Sequence, residues 1–169
     1  MKKTLLAVAA VAAFAAIAIS ADAQAPAAPA TAPAPPPPDY GMPITLDQAK
    51  VVMAVAEGEA KKAGVNVSIA IVEPSGTLVM FQRMTNATYS SADGAPLKAR
   101  SAAMWKRSTS TWIEAAKDSA AVSTQPNAIA SNGGEFIVVG GKIIGAVGVA
   151  GNGANEGPIS RTAAAALSR

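Results

Sequence analysis

The sequence of 169 residues contains no cysteine and no histidine. Without thiol or imidazole side chains, the chain has no disulfide framework, no Ser-His-Asp or Cys-His catalytic site, and no histidine ligand for zinc or haem. Aromatic residues make up only 4% of the chain and the basic residues are scattered, which argues against a groove that tracks nucleic acid. Any chemistry must therefore use carboxylates, Arg, Lys, Tyr, Met, hydroxyl groups or the backbone, and no metal site is predicted.

The sequence also lacks an apolar run long enough to cross a bilayer. The run over residues 5–19 is shorter than the roughly 20 residues that a spanning helix needs. It follows Lys2 and Lys3 and precedes Ala21-Asp22-Ala23, which fits a small-x-small cleavage site. Residues 1–23 are therefore predicted to be a signal peptide, with a retained anchor as the alternative. The chain is expected to be periplasmic or secreted, without a stable membrane span.

Residues 24–40 consist mostly of alanine and proline. Such a segment cannot bury a core, so it is predicted to be an extended linker. The remaining residues, 41–169, have the length of one ordinary domain. Their patterns of hydrophobicity and turn residues predict an α+β domain.

The most informative segment of that domain is the glycine-rich stretch over residues 133–151. Two runs of β-branched residues flank Gly140-Gly141, which supplies the positive φ angles of a tight hairpin. Gly145, Gly148 and Gly151 leave room for another backbone, a side chain or a flat ligand to come close. Before this stretch, the sequence predicts a helix that begins with a Thr45/Gln48 capping box and ends before Gly64, and then a hairpin over residues 65–83. A surface loop over 85–94 and a helix over 97–107, opened by Pro96, are predicted to follow. The last predicted elements are a short helix over 111–118 with a Thr111/Glu114 capping box and a closing helix over 159–167.

Four segments, in order, resemble the GlcG/HbpS-like family of haem-binding or haem-degrading domains: TLDQAKVVMAVAEGEAKKAG, VSIAIVEPSGTLVMFQRM, KARSAAMWKRST and GGEFIVVGGKIIGAVGVAG. The resemblance implies a profilin-like α-β-α domain with a mostly antiparallel sheet. It also implies symmetric homo-oligomers and the binding of haem or a related small ligand. Two family patterns differ here, because Thr85-Asn86-Ala87 stands for Asp-Gly-Ala and Arg107-Ser108-Thr109 for Arg-Pro-Thr.

Three candidate ligand-binding residues surround the end of the second predicted strand. Arg83 is able to pair with a carboxylate, and Met84 offers a soft sulfur to haem iron. Tyr89 offers a phenolate oxygen, which can coordinate ferric haem when His and Cys are absent. The alternatives are a solvated strand end for Arg83, edge packing for Met84 and an exposed loop position for Tyr89.

Further candidates carry charge. Lys98 and Arg107 are nine residues apart, so on one helix they would project from the same face and clamp an anion, although a solvated face explains them too. Glu73 and Glu156 stand at positions where the family usually has an acidic residue. They would form an acid–base pair if the fold brought them together, and the alternative is that they have turn and helix-end roles. Thr109 is expected to cap the following helix or to contact the ligand.

The resemblance and these residues lead to three hypotheses of function. The first is an exported homo-oligomer that binds haem or a similar small molecule through Arg83, Met84, Tyr89, Lys98 and Arg107. The second is an acid–base enzyme that acts on a small carboxylated metabolite with Glu73 or Glu156 as the base. The third is an envelope accessory or scaffold protein, and the sequence does not decide whether the chain is an enzyme.

Overall fold

The computed structural model describes residues 35–151 and 153–168. The predicted signal peptide and the predicted linker up to Ala34 lie outside the described residues. No helix in the part of the chain that is described has the length and apolar character needed to cross a membrane. The main elements are α1 (Leu46–Lys62), β1 (Ser68–Val72), β2 (Leu78–Arg83), α2 (Tyr89–Trp105), α3 (Thr111–Asp118), β3 (Gly134–Val139), β4 (Lys142–Ala150) and α4 (Glu156–Ala164).

The four strands form one antiparallel sheet in the order β2-β1-β4-β3. At one end of the sheet, Ser68 lies opposite both Arg83 and Ala150. The turn between β3 and β4 is made by Gly140 and Gly141, with φ angles of 56° and 73° that suit glycine. The predicted α+β class, the antiparallel sheet and both predicted hairpins are therefore confirmed.

Helices cover both faces of the sheet, and the two layers differ in side-chain size. On one face, the isoleucines and valines of β1 and β4 pack against α1 and α4. On the other face, Ala95 and Ala99 of α2 pack against Ala70 and Ala146. A Cβ atom at Gly148 would collide with the carbonyl oxygen of Ala95 and the amide of Ala99. The predicted close approach of a second backbone to this glycine is thus confirmed, and α2 is the element that makes it.

Two predictions about α2 are wrong. The helix begins at Tyr89, so residues 89–94 are helical instead of part of a surface loop, and Pro96 lies inside the helix. The small polar residues before Pro96 gave no helical signal, but Ser91 holds this first turn by hydrogen bonding to Ser68 on β1, with 2.7 Å between the two Oγ atoms. The buried face of the helix consists mainly of alanines, whereas Leu97 is exposed.

The predicted capping box of α3 is wrong, and the predicted start of α4 is too late. The N-cap of α3 is Ser110, and no capping box forms between Thr111 and Glu114. The closing helix α4 begins at Glu156, three residues before the predicted start, because the Glu156 carboxylate accepts the backbone amide of Gly153 and organises the first turn. The Thr45/Gln48 capping box of α1 is confirmed.

The chain before α1 runs beside the beginning of β4. Gly41 and Ile44 donate backbone hydrogen bonds to Ile143 and Ile144, with N–O distances of 2.8 and 2.7 Å. The hydroxyl of Tyr40 donates to the carbonyl of Ala103 near the end of α2, at 2.8 Å. The last residues of the predicted linker are therefore bound to the domain.

Candidate functional site

A groove of about 410 Å³ lies where the C-terminal half of α1 meets the end of β2. Two predicted ligand-binding residues, Arg83 and Met84, line this groove, which is hereafter the β2-end groove. Its walls are mostly polar. The full lining consists of Glu57, Lys61, Asn66, Gln82, Arg83, Met84 and Thr85.

A tight turn after β2 positions Met84 in the groove. The amide of Met84 donates to the carbonyl of Val67 at 3.0 Å, and the amide of Ala87 donates back to the carbonyl of Met84 at 3.1 Å. Asn86 adopts a left-handed φ of 64°, a conformation that asparagine tolerates better than most residues. Asn86 stands where the family pattern has glycine, and its left-handed backbone is one that glycine also adopts readily.

Arg83 and Tyr89 are brought together by the same turn. The guanidinium of Arg83 donates to the carbonyl of Ala87 at 2.5 Å and stacks over the Tyr89 ring at 4.9 Å from its centre. Tyr89 is 85% exposed, so its phenol is open to solvent at the first residue of α2. Three of the five predicted ligand-binding residues therefore lie at one end of the sheet.

Charge at the β2-end groove is predominantly positive. Lys61 pairs with Glu57 one helical turn away, at an Nζ–Oε1 distance of 2.6 Å. Hydrogen bonding from the Gln82 side chain, and then from Lys61, lowers the pKa of Glu57 below its usual value. Arg83 bonds to a neutral carbonyl and forms no ion pair within the described residues. The groove therefore offers a cation to an anionic ligand.

Lys61 and Glu57 were missed by the sequence reasoning. Their spacing of four residues near the end of a helix is a recognisable signal for a salt bridge. That spacing does not reveal which strand the helix end meets. Helix α1 approaches β2 because it packs on a face of the sheet that contains β2.

Lys98 and Arg107 do not form the predicted anion clamp. Lys98 is buried, and its ammonium donates to Glu156 Oε2 at 2.6 Å and to the carbonyl of Val149 at 3.3 Å. Arg107 lies beyond the end of α2 and stacks on Trp112 at 4.5 Å. The helix ends at Trp105, so the regular spacing that placed the two side chains on one face does not extend to Arg107.

Glu73 and Glu156 do not form an acid–base pair. Glu73 accepts from the hydroxyl of Ser75 at 2.6 Å in the turn after β1, whereas Glu156 lies beside Gly151, next to the opposite end of β1. A strand of this length separates them by roughly 16 Å. Each carboxylate instead has the local turn or helix-end role that was the alternative.

Thr109 is buried and holds the start of β3. Its Oγ1 accepts the amide of Gly134 at 2.9 Å, and its own amide donates to the Gly134 carbonyl at 3.0 Å. It therefore neither caps α3 with its side chain nor lines the β2-end groove. A Cβ atom at position 134 would overlap the Thr109 side chain, so this contact requires glycine.

The donors near the β2-end groove suit an organic anion better than a bare metal ion. Within residues 35–151 and 153–168, no cluster of three or more His, Cys, Asp or Glu side chains is placed to hold a metal. The groove does present the Arg83 guanidinium and the Met84 thioether, with the Tyr89 phenol beside it. These groups can bind carboxylates or complete the coordination of an iron that a macrocycle already holds.

Comparison with known proteins identifies relatives of this chain. The chain is 35% identical to the protein GlcG of Escherichia coli K12 over 107 residues, which cover 63% of this chain and 80% of GlcG. Its fold matches a double mutant of Streptomyces reticuli HbpS with a TM-score of 0.69 and 27% identity, over 82% of this chain and 99% of that one. It also matches a PduOC:heme complex with a TM-score of 0.68 and 25% identity, over 75% and 96% of the two chains.

The family model described as "Haem degrading protein HbpS-like" matches residues 44–165. That range includes all of the main elements from α1 to α4, and it spans more than half of the chain. The predicted resemblance is therefore confirmed, and this chain belongs to the HbpS-like family.

Proposed function

We propose that this chain binds haem, or a planar acidic ligand like it, at the β2-end groove. The observation that carries the proposal is the convergence of Arg83, Lys61 and Met84 in one groove beside Tyr89. Family membership and the haem complex of the similar PduOC support it.

The residues at the β2-end groove fit the functional groups of haem. Arg83 would hold one carboxylate, and Lys61 would hold the other by exchanging its exposed pair with Glu57, because guanidinium and ammonium groups form charge-assisted hydrogen bonds with carboxylates. Met84 or Tyr89 would coordinate the iron, since thioether sulfur and phenolate oxygen are both known axial ligands. When bound, haem would supply the redox chemistry of its iron.

The open shape of the groove favours a homo-oligomer. Haem has two apolar faces, whereas Met84 is the one apolar side chain among the described lining residues. A site that buries most of a ligand's surface would need a second wall. We propose that a second copy of the chain supplies it, and that the signal peptide predicted for residues 1–23 directs the assembly to the periplasm or the exterior.

A hemin titration followed by absorption spectroscopy tests the proposal. Wild-type protein at micromolar concentration is expected to shift and sharpen the Soret band. Arg83→Gln should weaken binding by about 10-fold or more because it removes a charge-assisted contact. Met84→Leu keeps the side-chain volume but removes the sulfur, so it should change the band position if sulfur ligates the iron. Tyr89→Phe applies the same reasoning to the phenol.

The matched control is Arg100→Gln. Arg100 is exposed on α2 and does not line the β2-end groove, so this variant should bind hemin as the wild type does. Native mass measurement with and without hemin reports the assembly. An unchanged Soret band with wild-type protein, or equal binding by wild type and Arg83→Gln, would remove haem from this groove.

A further inference from the structure

A second groove, of about 260 Å³, lies between the edge strand β3 and helix α4. It combines one carboxyl group, Glu135, with one guanidinium, Arg161, and apolar side chains. This groove is hereafter the β3–α4 groove. Its lining consists of Glu135, Phe136, Val138, Arg161, Ala164, Ala165 and Ser168.

Glu135 is held in a fixed place at the rim of this groove. It lies opposite Val147 on β4, and its Oε1 accepts the hydroxyl of Ser108 at 2.8 Å. Burial raises the pKa of Glu135 above its usual value, while the Ser108 hydrogen bond and the charge of Arg161 oppose that shift. The carboxyl group therefore takes up a proton more readily than an exposed glutamate.

Arg161 provides the positive charge of the β3–α4 groove. It is exposed on α4, and its side chain forms neither an ion pair nor a hydrogen bond with any other described residue. It acts electrostatically on Glu135 but is not tied to it as a salt-bridge partner. The guanidinium is thus free to receive a carboxylate from outside the chain.

We propose that the β3–α4 groove is a binding site for a small carboxylic acid with an apolar body. The ligand's carboxylate pairs with Arg161, and its body lies on Val138 and Ala165. Glu135 donates a hydrogen bond to the ligand when it is protonated and repels the ligand's negative charge when it is ionised. This site is separate from the β2-end groove and shares no lining residue with it.

The coupling to pH depends on the charged groups around Glu135. Helix α4 contributes Arg161, and β4 contributes the uncharged Val147. The segment after α2 contributes the Ser108 hydroxyl and, next to it, Arg107, whose guanidinium is stacked on Trp112. Glu135 is the acidic member of this set, so affinity for the acid should fall as the pH rises and Glu135 ionises.

Benzoate and its neutral analogue benzamide test the site, with amide chemical shifts of the protein measured by NMR during titration. Benzoate should shift the amides of β3 and α4, and benzamide should bind about 10-fold or more weakly because it lacks the charge that Arg161 pairs with. Arg161→Gln should weaken benzoate binding by a similar factor. Between pH 5 and pH 8, wild type should lose affinity and Glu135→Gln should not.

Arg100→Gln again serves as the matched control and should bind benzoate as the wild type does. Arg161→Gln should leave the hemin titration unchanged, which separates this site from the proposed haem groove. Equal benzoate binding by wild type and Arg161→Gln, shifts confined to other elements, or no binding of benzoate at millimolar concentration would each overturn the proposal.

Discussion

Replacing Lys98 by methionine removes the cation from a buried ion pair that joins α2 to α4. Lys98 Nζ lies 2.6 Å from Glu156 Oε2, and the two side chains are only 10% and 6% exposed. The ammonium also donates to the carbonyl of Val149. Methionine has a similar length and no charge, so the substitution leaves the Glu156 carboxylate in the interior without its counterion.

The expected loss follows from what remains around Glu156. Removing one partner of a buried pair costs about 3–5 kcal/mol, because a charge is left uncompensated. The amides of Gly151 and Gly153 still donate to Glu156 Oε1, which favours the lower end of that range. A loss of about 3 kcal/mol lowers the melting temperature of a domain of this size by on the order of 10 °C.

The assay is urea unfolding followed by circular dichroism, with Lys117→Met as the matched control. Lys117 forms the same kind of pair with Glu114 at 2.8 Å, but those side chains are 64% and 73% exposed, so the control should change stability by about 0.5 kcal/mol or less. Adding Glu156→Gln to the Lys98→Met variant should lower the free energy of unfolding far less than Glu156→Gln lowers it in the wild type. If Lys98→Met is no more destabilising than Lys117→Met, the reasoning about the buried pair is refuted.

Two further predictions concern a glycine and a carboxyl group. Gly148→Ala should destabilise the domain by about 1–3 kcal/mol, because α2 must move away from the sheet, whereas Gly58→Ala, in open space within α1, should stabilise it by about 0.5–1 kcal/mol. Equal effects in urea unfolding would contradict the close packing of α2. Because the pKa of Glu135 is raised in the folded state, wild type should lose stability as pH rises through that pKa, and Glu135→Gln should lose less between pH 4 and pH 8. Identical losses would contradict the burial of this carboxyl.

The parts of the fold that could be predicted are those with a local cause. The capping box at Thr45 and Gln48 and the turn at Gly140 and Gly141 each depend on residues close in sequence, and both are present. The start of α2 at Tyr89 was not predictable in this way. Its first turn depends on the contact between Ser91 and Ser68, which lie 23 residues apart.

The candidate site shows the same limit. Arg83 and Met84 could be placed together because they are adjacent at a strand end. The fate of Lys98 could not be predicted, since its partner Glu156 is 58 residues away and reaches it only across the end of β4. Likewise, the spacing of Lys98 and Arg107 had meaning only if the helix continued through Arg107, and it ends at Trp105.

The docked segment before α1 also fixes an orientation. Gly41 and Ile44 bond to the first residues of β4, whereas Arg83 lies opposite Ser68, which pairs with Ala150 at the last. The segment from Asp39 to Ile44 thus lies against the opposite end of β4 from Arg83. The docked segment therefore leaves the β2-end groove uncovered at the other end of the sheet.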